Sequence, residues 1–166
     1  MQKHETILVT FNEMEADIDV EIAPLILEIW RAGITTTFSC QGGRSGLAWI
    51  QFLTSGDAAQ FLNSVVGPYD KDEDSLYSRI RHGRRTFYQP YDGHWIYEAH
   101  VQDNSTEFVR AGQGKGSLCE ISYGTPELCF RYSVRFPRSD IPTLERRMRQ
   151  MNERNSRPKV AVGGVG

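Results

Sequence analysis

Residues 33–52 read G-I-T-T-T-F-S-C-Q-G-G-R-S-G-L-A-W-I-Q-F, and the reading of this stretch decides the fold. Gly33 is a helix stop, and the β-branched run Ile34–Phe38 that follows predicts a strand. A polar, glycine-rich loop, Ser39–Gly46, then leads into a second strand, Ala48–Leu53. The loop carries a hydroxyl, a thiol, a carboxamide and a guanidinium among the glycines Gly42, Gly43 and Gly46. A loop of this kind brings backbone N–H groups close to an anion, with Arg44 as charge partner. Ser39, Gln41, Gly42, Gly43 and Arg44 are therefore candidate ligand contacts. The plainer alternative is a permissive hairpin connection whose glycines supply positive φ.

Upstream, Thr6–Phe11 alternates Ile7, Val9 and Phe11 on one face, as a strand does. Val20–Ala32 places Ile22, Leu25, Ile26 and Ile29 at helical spacing, with Asp17 or Asp19 as cap and Pro24 in the first turn. Downstream, Ser55 or Asp57 caps a helix over Ala58–Val66 that Gly67-Pro68 ends. An excursion, Tyr69–Gly93, follows, with a short strand near Thr86–Gln89. His94–Gln102 supplies a further strand. The order β-α-β-β-α-β predicts an α+β fold with a ferredoxin-like split β-α-β core over residues 5–102. Leu118–Tyr123 and Pro126–Phe136 flank Gly124-Thr125, a two-residue loop suited to a type II′ hairpin. A helix beginning at Ser139 or Asp140 completes an extension over residues 117–154. Residues 1–154 thus read as one domain, and 155–166 as a flexible tail.

Composition narrows the function classes. Apolar residues make up 39% of the 166-residue chain and charged residues 24%, which suits an ordinary globule with a sizeable core. A formal net charge of −2 argues against general nucleic-acid binding, which usually needs a strongly basic chain. No apolar run is long enough for a bilayer span, so no membrane partner is expected. The N-terminus leads straight into a strand pattern without a signal peptide. The three cysteines lack a framework spacing. Both features point to a cytoplasmic location.

Several side-chain groups add to the loop. Arg81 and Arg84 lie close in sequence to Tyr88, Tyr91 and Trp95, combining guanidinium forks with stacking surfaces. The alternative is a solvated charged segment paired with Asp70–Asp74. Lys115 sits in the run Gly112–Gly116, which lacks the Walker spacing and is followed by a strand, so it is no P-loop but could form a basic lid. Arg131 and Arg135 share one face of the long strand and form a further candidate wall. Cys40 would need a base to act as a nucleophile, and His94 or His100 would have to supply it through the fold. No C-x-x-C or H-x-x-x-H spacing is present, so no metal and no cofactor are expected.

The segment L-E-I-W-R-A-G-I, then T-T-T-F-S-C-Q-G-G, A-W-I-Q-F and D-A-A-Q-F-L resembles a group of small bacteriophage proteins. These share a helix, the pattern G-I-x-T-x-x-S-C-Q-G and a strand. The resemblance spans Ile18–Val66 and implies phage origin more than an activity. A shorter stretch is similar to the T-x-S-C-x-G-R motif of the wybutosine tRNA methyltransferase family. Thr37, Ser39, Cys40 and Gly42 match, but Gly43 intervenes before Arg44. In size and in its mix of arginine, aromatic and glycine-rich elements the chain also resembles phage proteins that sequester nucleotide signals of bacterial immunity, at the level of class. The expectation is a non-enzymatic, homo-oligomeric binding protein for a small nucleotide-like anion, in the host bacterial cytoplasm. The alternatives are an enzyme acting on a nucleotide or RNA, hydrolytic or S-adenosylmethionine-dependent, and an accessory protein that binds a host protein.

Overall fold

The alternating residues of Thr6–Phe11 form strand β1, but the strand's partner comes next in the chain. Met14–Asp19 is a second strand, β2, paired antiparallel with β1 from Thr6 opposite Asp19 to Phe11 opposite Met14. Asn12, at φ 52°, turns the chain between them in the left-handed region that asparagine tolerates. Asp17 and Asp19 are therefore strand residues and do not cap the first helix. The structure is a computed structural model that describes residues 4–43, 46–66, 76–81, 83, 95–103, 106–110, 118–122 and 128–156.

Helix α1, Ala23–Arg31, starts after Ile22 without a side-chain cap, with Pro24 in its first turn. It ends at Gly33, φ 75°, where the amides of Gly33 and Ile34 donate to the carbonyls of Trp30 and Ile29. Strands β3, Thr36–Cys40, and β4, Leu47–Phe52, form the expected pair around the glycine-rich loop. Helix α2, Ser55–Val65, is capped by Thr54, whose hydroxyl accepts from the Asp57 amide while the Asp57 carboxylate accepts from the Thr54 amide. That reciprocal box starts the helix three residues earlier than the apolar spacing alone predicts. A short helix, α3, Leu76–Arg81, lies in the excursion. Strands β5, Ile96–Asp103, β6, Thr106–Arg110, β7, Leu118–Ser122, and β8, Leu128–Pro137, precede the C-terminal helix α4, Ile141–Ser156.

The α+β class is as expected; the strand order is not. The main sheet runs β3-β4-β8-β5, with every neighbouring pair antiparallel. β1 pairs with β2 in a separate hairpin, so the split β-α-β arrangement does not form. A two-residue connection closes that hairpin far more cheaply than pairing with a distant strand would. The C-terminal hairpin is also corrected. β7 pairs with β6, while β8 lies inside the sheet, bonded to β4 on one edge and β5 on the other. The Gly124-Thr125 turn itself lies outside the described residues, as do the strand near Thr86–Gln89 and the tail.

The reason for the placement of β8 is its inner face. Val134 and Phe136 stand beside Ile50 and Ala48 of β4 and are fully covered, together with Phe52. Phe61 and Val65 of α2 and Leu144 and Met148 of α4 complete this core, with α1 packed on α4. Trp95 is buried here, its ring against Phe136 (centroids 5.1 Å apart) and Phe61 (6.4 Å). Its Nε1–H donates to Asp140 at 3.2 Å, and Arg79 of α3 forks onto the same carboxylate at 2.5 and 3.0 Å. This network pins α3 to the start of α4. No helix among the described residues is long and apolar enough to cross a membrane.

Removing a buried carboxylate that accepts three bonds takes away two bonds of Arg79 and the bond of the buried Trp95 indole. Asp140→Ala should therefore cost about 2–4 kcal/mol in urea unfolding. A loss within 0.5 kcal/mol would show that the network carries little of the stability.

Candidate functional site

The glycine-rich loop leaves β3 at Cys40 and is fastened on both sides. The Gln41 amide donates to Asp19 Oδ2 at 3.0 Å, and the Glu21 amide donates back to Gln41 Oε1 at 2.8 Å. These two bonds tie the loop to the junction between β2 and α1. On its return the Gly46 amide donates to Gly43 O at 3.1 Å, and Gly46 O accepts from the Arg138 amide at 2.8 Å. Gly42 has φ 90°, and a Cβ there would clash with the Leu47 carbonyl, so only glycine fits. Arg138 in turn makes a two-pronged, solvent-exposed ion pair with Glu21. The bond from Arg138 holds the Glu21 carboxyl below its ordinary range and raises the guanidinium.

Strand register extends the site across the sheet. Cys40 stands opposite Trp49, and Trp49 opposite Arg135 on β8. The three share the sheet face that points away from the core. The Arg135 guanidinium lies 5.6 Å from the Trp49 ring centroid, and its Nε donates to Glu98 Oε2 at 3.2 Å. A ring stacked with a guanidinium is a surface suited to a planar, anionic ligand. Further along the same face the residues are buried: Gln51, Ser133 and Arg131 are each no more than 9% exposed. Thr37 donates to Gln51 Oε1 at 2.7 Å, and Arg131 donates to the Leu53 carbonyl at 3.2 Å.

The third component comes from the chain's beginning. His4 Nδ1 is 3.5 Å from Asp19 Oδ2, and both side chains are only 14% exposed. A ligand atom from each of His4, Asp19 and Cys40 lies within 4.8 Å of the other two. The Gly42 amide donates to Cys40 Sγ at 3.4 Å. His4 Nδ1 is buried and finds no hydrogen-bond partner among the described residues. Burial pushes the Cys40 thiol above its ordinary value and the Asp19 carboxylate adds to the rise, while the Gly42 amide and, more weakly, Arg135 oppose it.

The expected contacts are thus partly reassigned. The amides of Gln41 and Gly42 are already engaged by Asp19 and Cys40, so they do not present an open anion nest. The Gln41 side chain is a strut between loop and helix. Ser39 faces the opposite side from Cys40, and its buried Oγ has no partner among the described residues. Trp95 is a core residue and cannot stack on a ligand. Arg81 is exposed at the end of α3, whereas Arg44, Arg84, Tyr88, Tyr91, Lys115 and His94 lie outside the described residues. His100 hydrogen-bonds Ser133 at 2.9 Å and sits three strands, about 14 Å, from the strand of Cys40, so it is not the thiol's base. A separate groove of about 680 Å³ between α2 and the sheet is mainly apolar, lined by residues including Ala58, Leu62, Tyr97 and Tyr132.

Sequence reasoning missed His4, Asp19, Trp49 and Glu98. The alternation of Met14, Ala16 and Ile18 after Asn12 was the available signal for the β1–β2 hairpin, and the hairpin brings Asp19 beside the start of β1. Nothing in the spacing of the chain signals their meeting with Cys40.

Among curated proteins the chain is similar to an uncharacterised protein of Acanthamoeba polyphaga mimivirus, 27% identical over 144 residues. The match covers 85% of this chain and 66% of that protein, just under two thirds of its length. No protein-family model matches the chain, and no solved structure does.

Because the loop's path depends on Gly42, Gly42→Ala should destabilise the fold by about 1–3 kcal/mol in urea unfolding. The equivalent change at Gly43, which has open space around it, should cost less. Equal losses at the two positions would refute the close-approach argument.

Proposed function

We propose that the chain is a binding protein for a small nucleotide-like anion, held over the Trp49–Arg135 surface at the mouth of the Ser39–Gly43 loop. The observation that carries this reading is the stacked ring and guanidinium in one row with Cys40. Trp49 would offer its ring to a base, and Arg135 its charge to a phosphate. Arg138 stands at the loop's other end, and its exposed pairing with Glu21 can yield to a competing anion. Val101, Leu128 and Phe130, all more than half exposed on one sheet face, support a homo-oligomer. A viral relative and the phage-like motif are compatible with a sponge that removes a signal of bacterial immunity in the host cytoplasm.

A second reading, hydrolysis of the same ligand, is favoured by one feature. The His4–Asp19–Cys40 group adjoins the platform and brings thiol, imidazole and carboxylate together.

Incubation with cyclic dinucleotides, cyclic oligonucleotides, cyclic ADP-ribose isomers and S-adenosylmethionine, followed by chromatography before and after heat denaturation, separates the readings. The expected outcome is one compound that disappears and returns intact on heating. Arg135→Ala should weaken its binding about ten- to hundredfold, with the fold retained by circular dichroism. Return as a product would establish the enzyme, and no depletion of any compound would overturn both readings.

A further inference from the structure

The His4–Asp19–Cys40 group has a geometry of its own. In a nucleophile–base–acid relay the imidazole stands between the thiol and the carboxylate, and the two ends do not meet. Here the three ligand atoms are mutually close, and the Asp19 carboxylate lies against both the imidazole and the thiol. Three donor atoms this close to one another suit a shared ion better than a chain of proton transfers.

We infer that His4, Asp19 and Cys40 form a binding site for a divalent cation of the zinc class, with one coordination position left to water or ligand. Sulfur, imidazole nitrogen and carboxylate oxygen together are a zinc donor set, and the thiolate disfavours magnesium and calcium. Three protein ligands with an open fourth position are the pattern of a reactive rather than a closed structural site.

Charge and hydrogen bonding agree with this assignment. Binding releases the Cys40 proton to solvent, and thiolate and carboxylate together then neutralise the ion. The Gly42 amide, directed at Cys40 Sγ at 3.4 Å, supplies the donor that a metal-bound thiolate needs. The Gln41 amide fixes Asp19 in the same way from 3.0 Å. His4 Nδ1, buried without a hydrogen-bond partner among the described residues, gains one in the metal. The close approach at Gly42 also acquires a purpose, since it aims that amide back at the sulfur.

The ligands come from three separate places: His4 two residues before β1, the last residue of β2 and the last residue of β3. An ion there ties the hairpin to the main sheet. This inference needs neither reading of the platform, and it is tested with the metal alone. The full chain, stripped with a chelator, is titrated with Co²⁺ and then with Zn²⁺ against a chromogenic competitor.

One equivalent should bind. The cobalt form should show a thiolate charge-transfer band, and thermal unfolding should shift upward with added zinc. Cys40→Ser should abolish the band, and His4→Ala, which removes a ligand at the edge of the fold, should weaken zinc about tenfold or more. Cys129→Ser should leave both unchanged. Absence of stoichiometric binding in the folded chain would overturn the inference, as would a band that survives in Cys40→Ser.

Discussion

The strand Leu128–Pro137 is hydrogen-bonded along both edges, and its register sets where Arg135 stands relative to Trp49 and Glu98. With β4 opposite Tyr132–Pro137 and β5 opposite Leu128–Arg135, it has no freedom to slide. A slip of one residue would exchange Val134 and Phe136 for Ser133 and Arg135 in the core. The burial of Phe136 under α2 and α4 therefore holds Arg135 over Trp49. The hydrophobic core positions the guanidinium, although the two face opposite sides of the sheet.

The loop is held by a different device, a set of polar contacts linking sequence-distant pieces. Asp19 accepts from Gln41, and Gln41 accepts from Glu21, so the end of β2 and the entry to α1 are closed onto the end of β3. In both bonds a side chain of one segment satisfies the backbone N–H of another. Gln41 and Asp19 thereby serve the shape of the loop. The groups they leave around it are Cys40, Trp49 and Arg135, which stand in one row across the sheet.

Local patterns were legible wherever a single element decided them. The alternations of β1, β4 and β8, the apolar stripe of α1 and the stop at Gly33 are all visible as sequence. β2 was not, because Glu15, Asp17 and Asp19 make it read as a polar approach to the helix, and Asn12-Glu13 lacks the glycine of a strong hairpin turn. The partner of β8 was not legible either. Gly124-Thr125 satisfies a local rule, whereas pairing is decided by which strands share the buried face. For the site, the loop's place in the chain was legible from its glycines. Trp49 and Arg135 needed the register of a distant strand, and His4 and Asp19 needed tertiary packing, neither of which leaves a trace in spacing. Trp95 was misread as a stacking surface because an aromatic beside arginines looks the same in sequence whether it faces water or Phe136.

The arginines themselves show how a chain of net charge −2 could still hold an anion. Several guanidiniums come with a carboxylate: Arg31 with Glu28, Arg79 with Asp140, Arg135 with Glu98 and Arg138 with Glu21. An incoming anion at such a place must replace an existing partner, so the site is selected by what that replacement costs. The Asp140 pair is part-buried and shared with Trp95, and breaking it takes the carboxylate from the buried indole N–H as well. The Arg138–Glu21 pair is open to solvent on both sides, where its carboxylate is readily rehydrated. Arg135 lies between these limits, paired with Glu98 at about a quarter exposure on each side and placed over Trp49. Exchange is thus least costly at the loop's end of the sheet, the end that also carries Cys40.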